Sequence, residues 1–194
     1  MRVHVIHAHP VETSFNRALF HTAISALKSA GHEVDALDLY AEGFEPALAR
    51  QEHIDYLDQD RNITPQIAPY VERLRAADAL VIVHPVWNYG YPAILKGYFD
   101  RVFLPGVAFR VEDGKFVPAL TNIGRVVFVT SYGGTRWRTI LAGDPPRLLA
   151  RRWAWSHFRR WPPPKYLALY DMDRIDEAKR KAFLDKVGRV LARL

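Results

Sequence analysis

A chain of 194 residues with 49% hydrophobic and 25% charged side chains is long enough for one domain with a full core. It has no cysteine, which excludes disulfides, thiolate catalysis and cysteine-held zinc or iron–sulfur sites, and its apolar runs are too short to span a bilayer. The formal net charge of +6 would suit an anionic ligand, a nucleic acid or an acidic membrane surface.

The opening residues, MRVHVIHAHP, read as a first strand from Arg2 to Ala8 and lack the layout of a signal peptide, so a cytoplasmic protein is expected. His9 to Thr13 is a turn. Ser14 or Thr13 then caps a helix with Phe15, Ala18, Leu19, Ala23, Ile24 and Leu27 along one face, and Gly31 ends it. Glu33 to Leu39 is a second strand, which completes a right-handed βαβ unit. Residues 40–64 are polar and irregular, with one short helix near 50–58, and a further helix covers about 65–76.

Ala79 to Val83 (ALVIV) is apolar and β-branched, the mark of a strand buried on both faces. His84 to Pro92 breaks it with two prolines and a glycine, and sets Trp87, Tyr89 and Tyr91 on a loop. A helix follows from Ala93, with Ile94, Leu95, Tyr98, Phe99, Val102 and Phe103 at helical spacing. Within 106–122, Phe109-Arg110-Val111 and Lys115-Phe116-Val117 flank an Asp113-Gly114 hairpin signal. Gly124 to Thr130 is a fourth strand of the main alternation, and Ser131 to Thr135 is a small-residue loop. A helix spans about 145–157. Pro162 to Pro164 stiffens a break before a last strand, Tyr166 to Tyr170. Asp173 caps a terminal helix with Ile175, Ala178, Ala182, Phe183, Val187, Val190 and Leu191 inward.

Five strands alternating with helices predict a single α/β domain over residues 1–194, a doubly wound parallel sheet in the flavodoxin-like order 2-1-3-4-5. In that order the loops 9–16, 84–92 and 131–135 all leave the carboxyl ends of their strands and meet at one crevice. The first loop opens a helix, so its free N–H groups form an anion site, helped by Thr13, Ser14, Asn16 and His9. The second offers flat side chains to a flat ligand, and the third offers backbone N–H groups at Gly133 and Gly134. Phosphate plus ring is the outline of a flavin mononucleotide unit. Motifs of other classes are missing: there is no G-x-G-x-x-G after the first strand, no phosphate-binding P-loop, no G-x-S-x-G and no H-E-x-x-H. His4, His7 and His9 lie close together along the first strand without acidic partners at ligand spacing, so no metal site is expected. The basic stretch 147–165, with Arg147, Arg151, Arg152, Arg159, Arg160 and Lys165 among Trp153, Trp155 and Trp161, carries no nucleic-acid-binding motif and reads as a solvated or interface-forming face.

These residues carry a family likeness. His9-Pro10-Val11-Glu12-Thr13-Ser14-Phe15-Asn16, Asp38-Leu39-Tyr40, Pro85 to Tyr89, Pro92-Ala93-Ile94-Leu95-Lys96-Gly97 with Phe99 and Arg101-Val102-Phe103, and Gly133-Gly134 together resemble the flavodoxin-like NAD(P)H:quinone oxidoreductases, the family of DT-diaphorase and bacterial quinone reductases. The resemblance implies bound FAD or FMN, NAD(P)H as co-substrate, a quinone or similar small flat acceptor, and a homodimer with the active site at the subunit interface. It implies that His9, Thr13, Ser14, Phe15 and Asn16 hold the phosphates and ribityl chain. Pro85, Val86, Trp87, Asn88 and Tyr89 would line the ring, and Ser131, Tyr132, Gly133 and Gly134 would meet its pyrimidine edge, with Tyr132, Gly133 and Gly134 closest to the chemistry. DT-diaphorase carries a tyrosine and a histidine after the double glycine, whereas Thr135 to Asp144 holds neither. Two other classes stay open: a flavin-binding ancillary subunit of a transport system, and a non-catalytic interaction module that uses the basic stretch.

Overall fold

The computed structural model describes residues 1–158 and 163–194. Arg159, Arg160, Trp161 and Pro162, which belong to the basic stretch and the proline break, lie outside the described residues. The strands of the main sheet are β1 (Arg2–His7), β2 (Glu33–Asp38), β3 (Ala79–Pro85), β6 (Arg125–Ser131) and β7 (Lys165–Leu169). They are parallel and ordered β2-β1-β3-β6-β7, which is the expected 2-1-3-4-5 once the separate hairpin of β4 (Phe109–Glu112) and β5 (Lys115–Pro118) is set aside. Val5 pairs with both Ala36 and Val81, Val81 with Val127, and Val129 with Leu167.

Alternation along the central strands divides the core into two layers. Val3, Val5, Val81, Val83, Val127 and Val129 face α1 (Phe15–Ser29) and α7 (Glu177–Leu191). Ile6, Leu80, Ile82 and Phe128 face α3 (Ala68–Arg75), α4 (Ala93–Val102) and α6 (Pro145–His157). Each such side chain contributes about 1.5–3 kcal/mol through burial. Every residue of β3 is buried, as its apolar run requires. α4 lies close to residue 46: a Cβ on Gly97 would overlap the backbone carbonyl of Pro46. Arg101, one turn on, is 4% exposed and holds both carboxylate oxygens of Glu52, with Nε to Oε2 at 3.0 Å. The short helix α2 (Arg50–Ile54) is pinned to α4 by that pair.

Several features differ from the sequence reading, beyond shifts of one to four residues at the ends of α2, α3, β6 and β7. β3 continues through His84 and Pro85, which pair with Thr130 and Ser131, because proline at a strand's last residue removes no needed donor. A six-residue helix, α5 (Arg136–Leu141), follows the third loop; of its residues only Thr139 is buried, so it left no apolar stripe to read. Asp176, not Asp173, caps α7, accepting from Lys179 N at 2.8 Å. Ala178 and Ala182 are exposed, and α7 turns Phe183, Val187 and Leu191 to the sheet.

Candidate functional site

The three loops meet as the strand order demands, tied by two hydrogen bonds and one ring contact. Val86 N donates to Ser131 O at 2.8 Å, joining the second loop to the third. Asn16 Nδ2 reaches Ser131 Oγ at 3.5 Å, joining the first to the third. The His9 and Trp87 rings stand 5.8 Å apart, joining the first to the second.

In the first loop Ser14 is the cap: its Oγ accepts from Arg17 N at 3.1 Å. Thr13 is exposed and does not share that role. With Arg17 satisfied, the N–H groups of Phe15 and Asn16 find no acceptor among the described residues, so two donors and the positive end of a 15-residue helix point outward. Asn16 is buried, and its Oδ1 has no partner there either. Val11 N donates to His9 Nδ1 at 3.1 Å, which leaves the proton of the neutral ring on Nε2. Burial lowers the pKa of His9 and favours that neutral form. Deeper in, His7 is fully buried, stacked on Phe20 at 4.7 Å, and lies 3.3 Å from Asp38. Burial, then Arg17 nearby, lowers it to about 3, so it is a neutral core histidine. Asp38 is engaged with Arg17 and accepts from the N–H of Tyr40 at 3.1 Å and of Ala41 at 3.2 Å, so the Asp38-Leu39-Tyr40 motif closes a turn.

The second loop is built on a tight turn. Trp87 and Gly90 exchange backbone bonds of 3.3 and 2.8 Å, and Asn88 and Tyr89 between them have φ of 47° and 57°. Two positive φ values are the signature of a type I′ turn, which usually recruits glycine. Asparagine tolerates this region, but a tyrosine there is strained by about 1 kcal/mol. The turn leaves Trp87 40% and Tyr89 53% exposed, with Asn88 exposed between them. Tyr91 turns inward instead, packed on Phe99 and Phe128. His84 is also interior. Its Nδ1 donates to Pro85 O at 2.9 Å, and burial lowers it to about 4.

The third loop is fixed on nearly every side. Tyr132 N donates to Leu169 O at 2.8 Å, Met172 N to Tyr132 O at 3.0 Å, and Asp171 N to Gly134 O at 2.9 Å. A Cβ on Gly133 would come 2.9 Å from Asp173 Oδ2. The Gly133 and Gly134 N–H groups have no acceptor among the described residues. The Tyr132 side chain is buried and faces away from solvent. Its hydroxyl donates to Asp144 Oδ1 at 3.0 Å and lies 2.6 Å from the Tyr166 hydroxyl. Burial, with Tyr166 and Asp144 close by, pushes its pKa far up, so the phenol stays protonated. The Tyr132 hydroxyl and N–H are thus both engaged within the protein, and the donors left open belong to the two glycines. The partners Asp144, Tyr166, Tyr170 and Arg147 are scattered through the sequence and carried no readable signal.

Elsewhere, a groove of about 870 Å³ lies between the hairpin, α6 and the amino end of β6, lined by Phe116, Ile123, Val126, Leu148 and Trp155. It is at the opposite end of β6 from the loops. Among the described residues no group of three His, Asp or Glu side chains stands close enough to hold a metal ion.

A family model described as the flavodoxin-like fold matches residues 1–190. An uncharacterised NAD(P)H oxidoreductase of Escherichia coli K12 is 28% identical over 152 residues, 78% of this chain and 70% of that one. NAD(P)H dehydrogenase (quinone) 1 of Rattus norvegicus is 35% identical over 123 residues, 56% of this chain and 45% of the rat one, so the match spans less than half of that enzyme. The solved NAD(P)H:quinone oxidoreductase of Methanothermobacter marburgensis superposes with a TM-score of 0.85 at 26% identity, over 99% of this chain and 98% of that one.

Proposed function

The chain belongs to the family of the flavodoxin-like fold, and from that membership we propose that it is a flavin-dependent NAD(P)H oxidoreductase that passes two electrons to a quinone or a similar flat acceptor. One observation carries the reading: three loops converge with N–H donors that are unused among the described residues at both ends, Phe15 and Asn16 on one side and Gly133 and Gly134 on the other, and with exposed Trp87 and Tyr89 on the loop between. A phosphate at one end, a flat ring in the middle and an electron-rich heterocycle edge at the other would satisfy all of them. Flavin, when bound, supplies the two-electron redox chemistry between a nicotinamide and the acceptor.

The residues would do the rest. Phe15 and Asn16 N–H groups, with the Nε2–H of neutral His9, bind the phosphate end. The buried Asn16 side chain, whose Oδ1 has no partner among the described residues, orients a hydroxyl of the linking chain. Trp87 and Tyr89 stack on the ring and screen it from water. Gly133 and Gly134 donate to the edge where negative charge grows on reduction, and being fixed beforehand they need no reorganisation. Exposed Trp137, Ile140 and Leu141 beside the third loop would be covered in a homodimer that closes the crevice. No helix among the described residues is long and apolar enough to cross a membrane, and a cytoplasmic enzyme is part of this proposal.

The test is steady-state oxidation of NADPH and NADH with a benzoquinone acceptor, with and without added FMN or FAD. Turnover that needs flavin and quinone together, with parallel double-reciprocal lines, is expected. Turnover below the free-flavin background in every combination would overturn the assignment.

A further inference from the structure

Behind the third loop stands a polar cluster that the proposed chemistry does not use. The Tyr132 hydroxyl is held by Asp144 at 3.0 Å and by Tyr166 at 2.6 Å. Asp144 Oδ2 accepts from Arg147 Nε at 2.8 Å, and Arg147 Nη2 donates to the Tyr170 hydroxyl at 3.0 Å. The Tyr170 ring stacks on Tyr132 at 4.6 Å, and the Arg147 guanidinium lies 4.8 Å from the centre of the Tyr166 ring. Asp144 sits in the left-handed region, with φ of 45°, directly before α6. Four side chains, Tyr166 and Tyr170 at β7 and Asp144 and Arg147 at the start of α6, therefore build a network around Tyr132, the residue that precedes the two glycines.

Such a network is expensive to assemble: burying hydroxyls is unfavourable unless they are bonded, and holding a residue in the left-handed region adds strain. What the polar network adds is direction. The Gly133 N–H shares its peptide plane with the Tyr132 carbonyl, which Met172 N holds, and the plane of the Gly134 N–H is bracketed between that one and the next, which Asp171 N holds through the Gly134 carbonyl.

We propose that Tyr132, Asp144 and Tyr166 form a positioning clamp that aims the Gly133 and Gly134 N–H groups at the bound flavin and so favours its reduced form. The clamp rests on the flavin reading above and deepens it, since it names the residues that tune the site. Tyr132, Asp144 and Tyr166 are positioning residues that act through the two glycines. Donors held in place stabilise the charge gained on reduction more than they stabilise the neutral oxidised ring, so loosening them weakens binding of the reduced form selectively.

Tyr132→Phe removes both hydroxyl bonds and keeps the ring on Tyr170. Asp144→Asn keeps an acceptor and a residue suited to positive φ, whereas Asp144→Ala keeps neither. Two readouts are taken on the full chain: amide hydrogen exchange of the flavin-free protein, and the midpoint potential of FMN bound to it. Tyr132→Phe and Asp144→Ala are expected to speed exchange at amides 132, 171 and 172. They are expected to lower the preference for reduced flavin about tenfold, which for a two-electron couple is about 30 mV. Asp144→Asn should recover much of both. A variant that loses stability while its potential stays at the wild-type value overturns the clamp, because a merely structural role would do that. If wild type itself retains no flavin, the oxidoreductase reading fails instead, and unchanged exchange at the three amides overturns the clamp on its own.

Discussion

At Gly97 the protein has no room for a side chain. The backbone of Pro46 lies across α4 where a Cβ would stand, and neighbouring Arg101 clamps Glu52 over the same crossing. Both neighbours are anchored, so neither yields to an added methyl. Gly97→Ala should therefore lower stability by about 2–3 kcal/mol, although alanine is the better helix former. Urea unfolding decides this: a midpoint equal to wild type would mean that the 45–52 segment moves freely off α4. The same comparison shows what one residue reveals in sequence. Gly97 stood out as part of Pro92-Ala93-Ile94-Leu95-Lys96-Gly97, but its reason, a backbone crossing from fifty residues earlier, is visible only in three dimensions. Ser14 is the opposite case. Its hydroxyl precedes an apolar periodic run, so its capping role was legible before its bond to Arg17 N was seen.

Among the elements, the turn from Trp87 to Gly90 is where local preference and fold disagree. Positive φ at Tyr89 is held against the residue's own preference, and strain of that kind gathers at functional sites. Tyr89→Gly relieves it at some expense in unfolded-chain entropy, so stability should be kept or rise by up to about 1 kcal/mol. Flavin affinity should fall at the same time, because an exposed ring beside Trp87 is lost. Thermal melting and flavin fluorescence quenching on one preparation check both. Equal affinity in the variant would remove Tyr89 from the ring-binding surface, and a loss of stability would remove strain as its distinguishing property. The element reading from sequence failed where signals were short or duplicated. α5 buries one side chain, the turn carries no glycine at its two central positions, and Asp173 and Asp176 are equally eligible caps three residues apart. It succeeded where period and burial agree, as in the apolar run from Ala79 to Val83 and the inward face of α1.

For the whole molecule, sheet order was legible because alternation of β-branched strands with helices admits few topologies, and the crevice followed from the order. The tyrosine cluster behind the third loop was not, since residues 132, 144, 147, 166 and 170 meet only after β6 pairs with β7. Burial of neutral histidines also sets a global property. His84 is lowered to about 4 and His7 to about 3 from an ordinary 6.5, chiefly by burial. The unfolded chain binds these protons first, so their contribution is complete above about pH 6.5 and is lost as pH falls toward 4. Each fully open histidine site steepens the fall by about 1.4 kcal/mol per pH unit. Asp35, where burial is outweighed by hydrogen bonds from His4 and Arg73, is held below the usual carboxylate range and adds its own loss only at lower pH. Urea midpoints between pH 7.5 and 4.5 should therefore decline steadily below about pH 6.5, and His84→Gln should flatten the slope; a pH-independent midpoint would contradict the buried neutral assignment. The most direct test of the central claim is the visible absorption spectrum of the protein after flavin addition and desalting, read before and after anaerobic NADPH. A retained flavin band that bleaches with NADPH and returns with quinone is the predicted result. A desalted protein without flavin absorbance, for FMN and FAD alike, would contradict it.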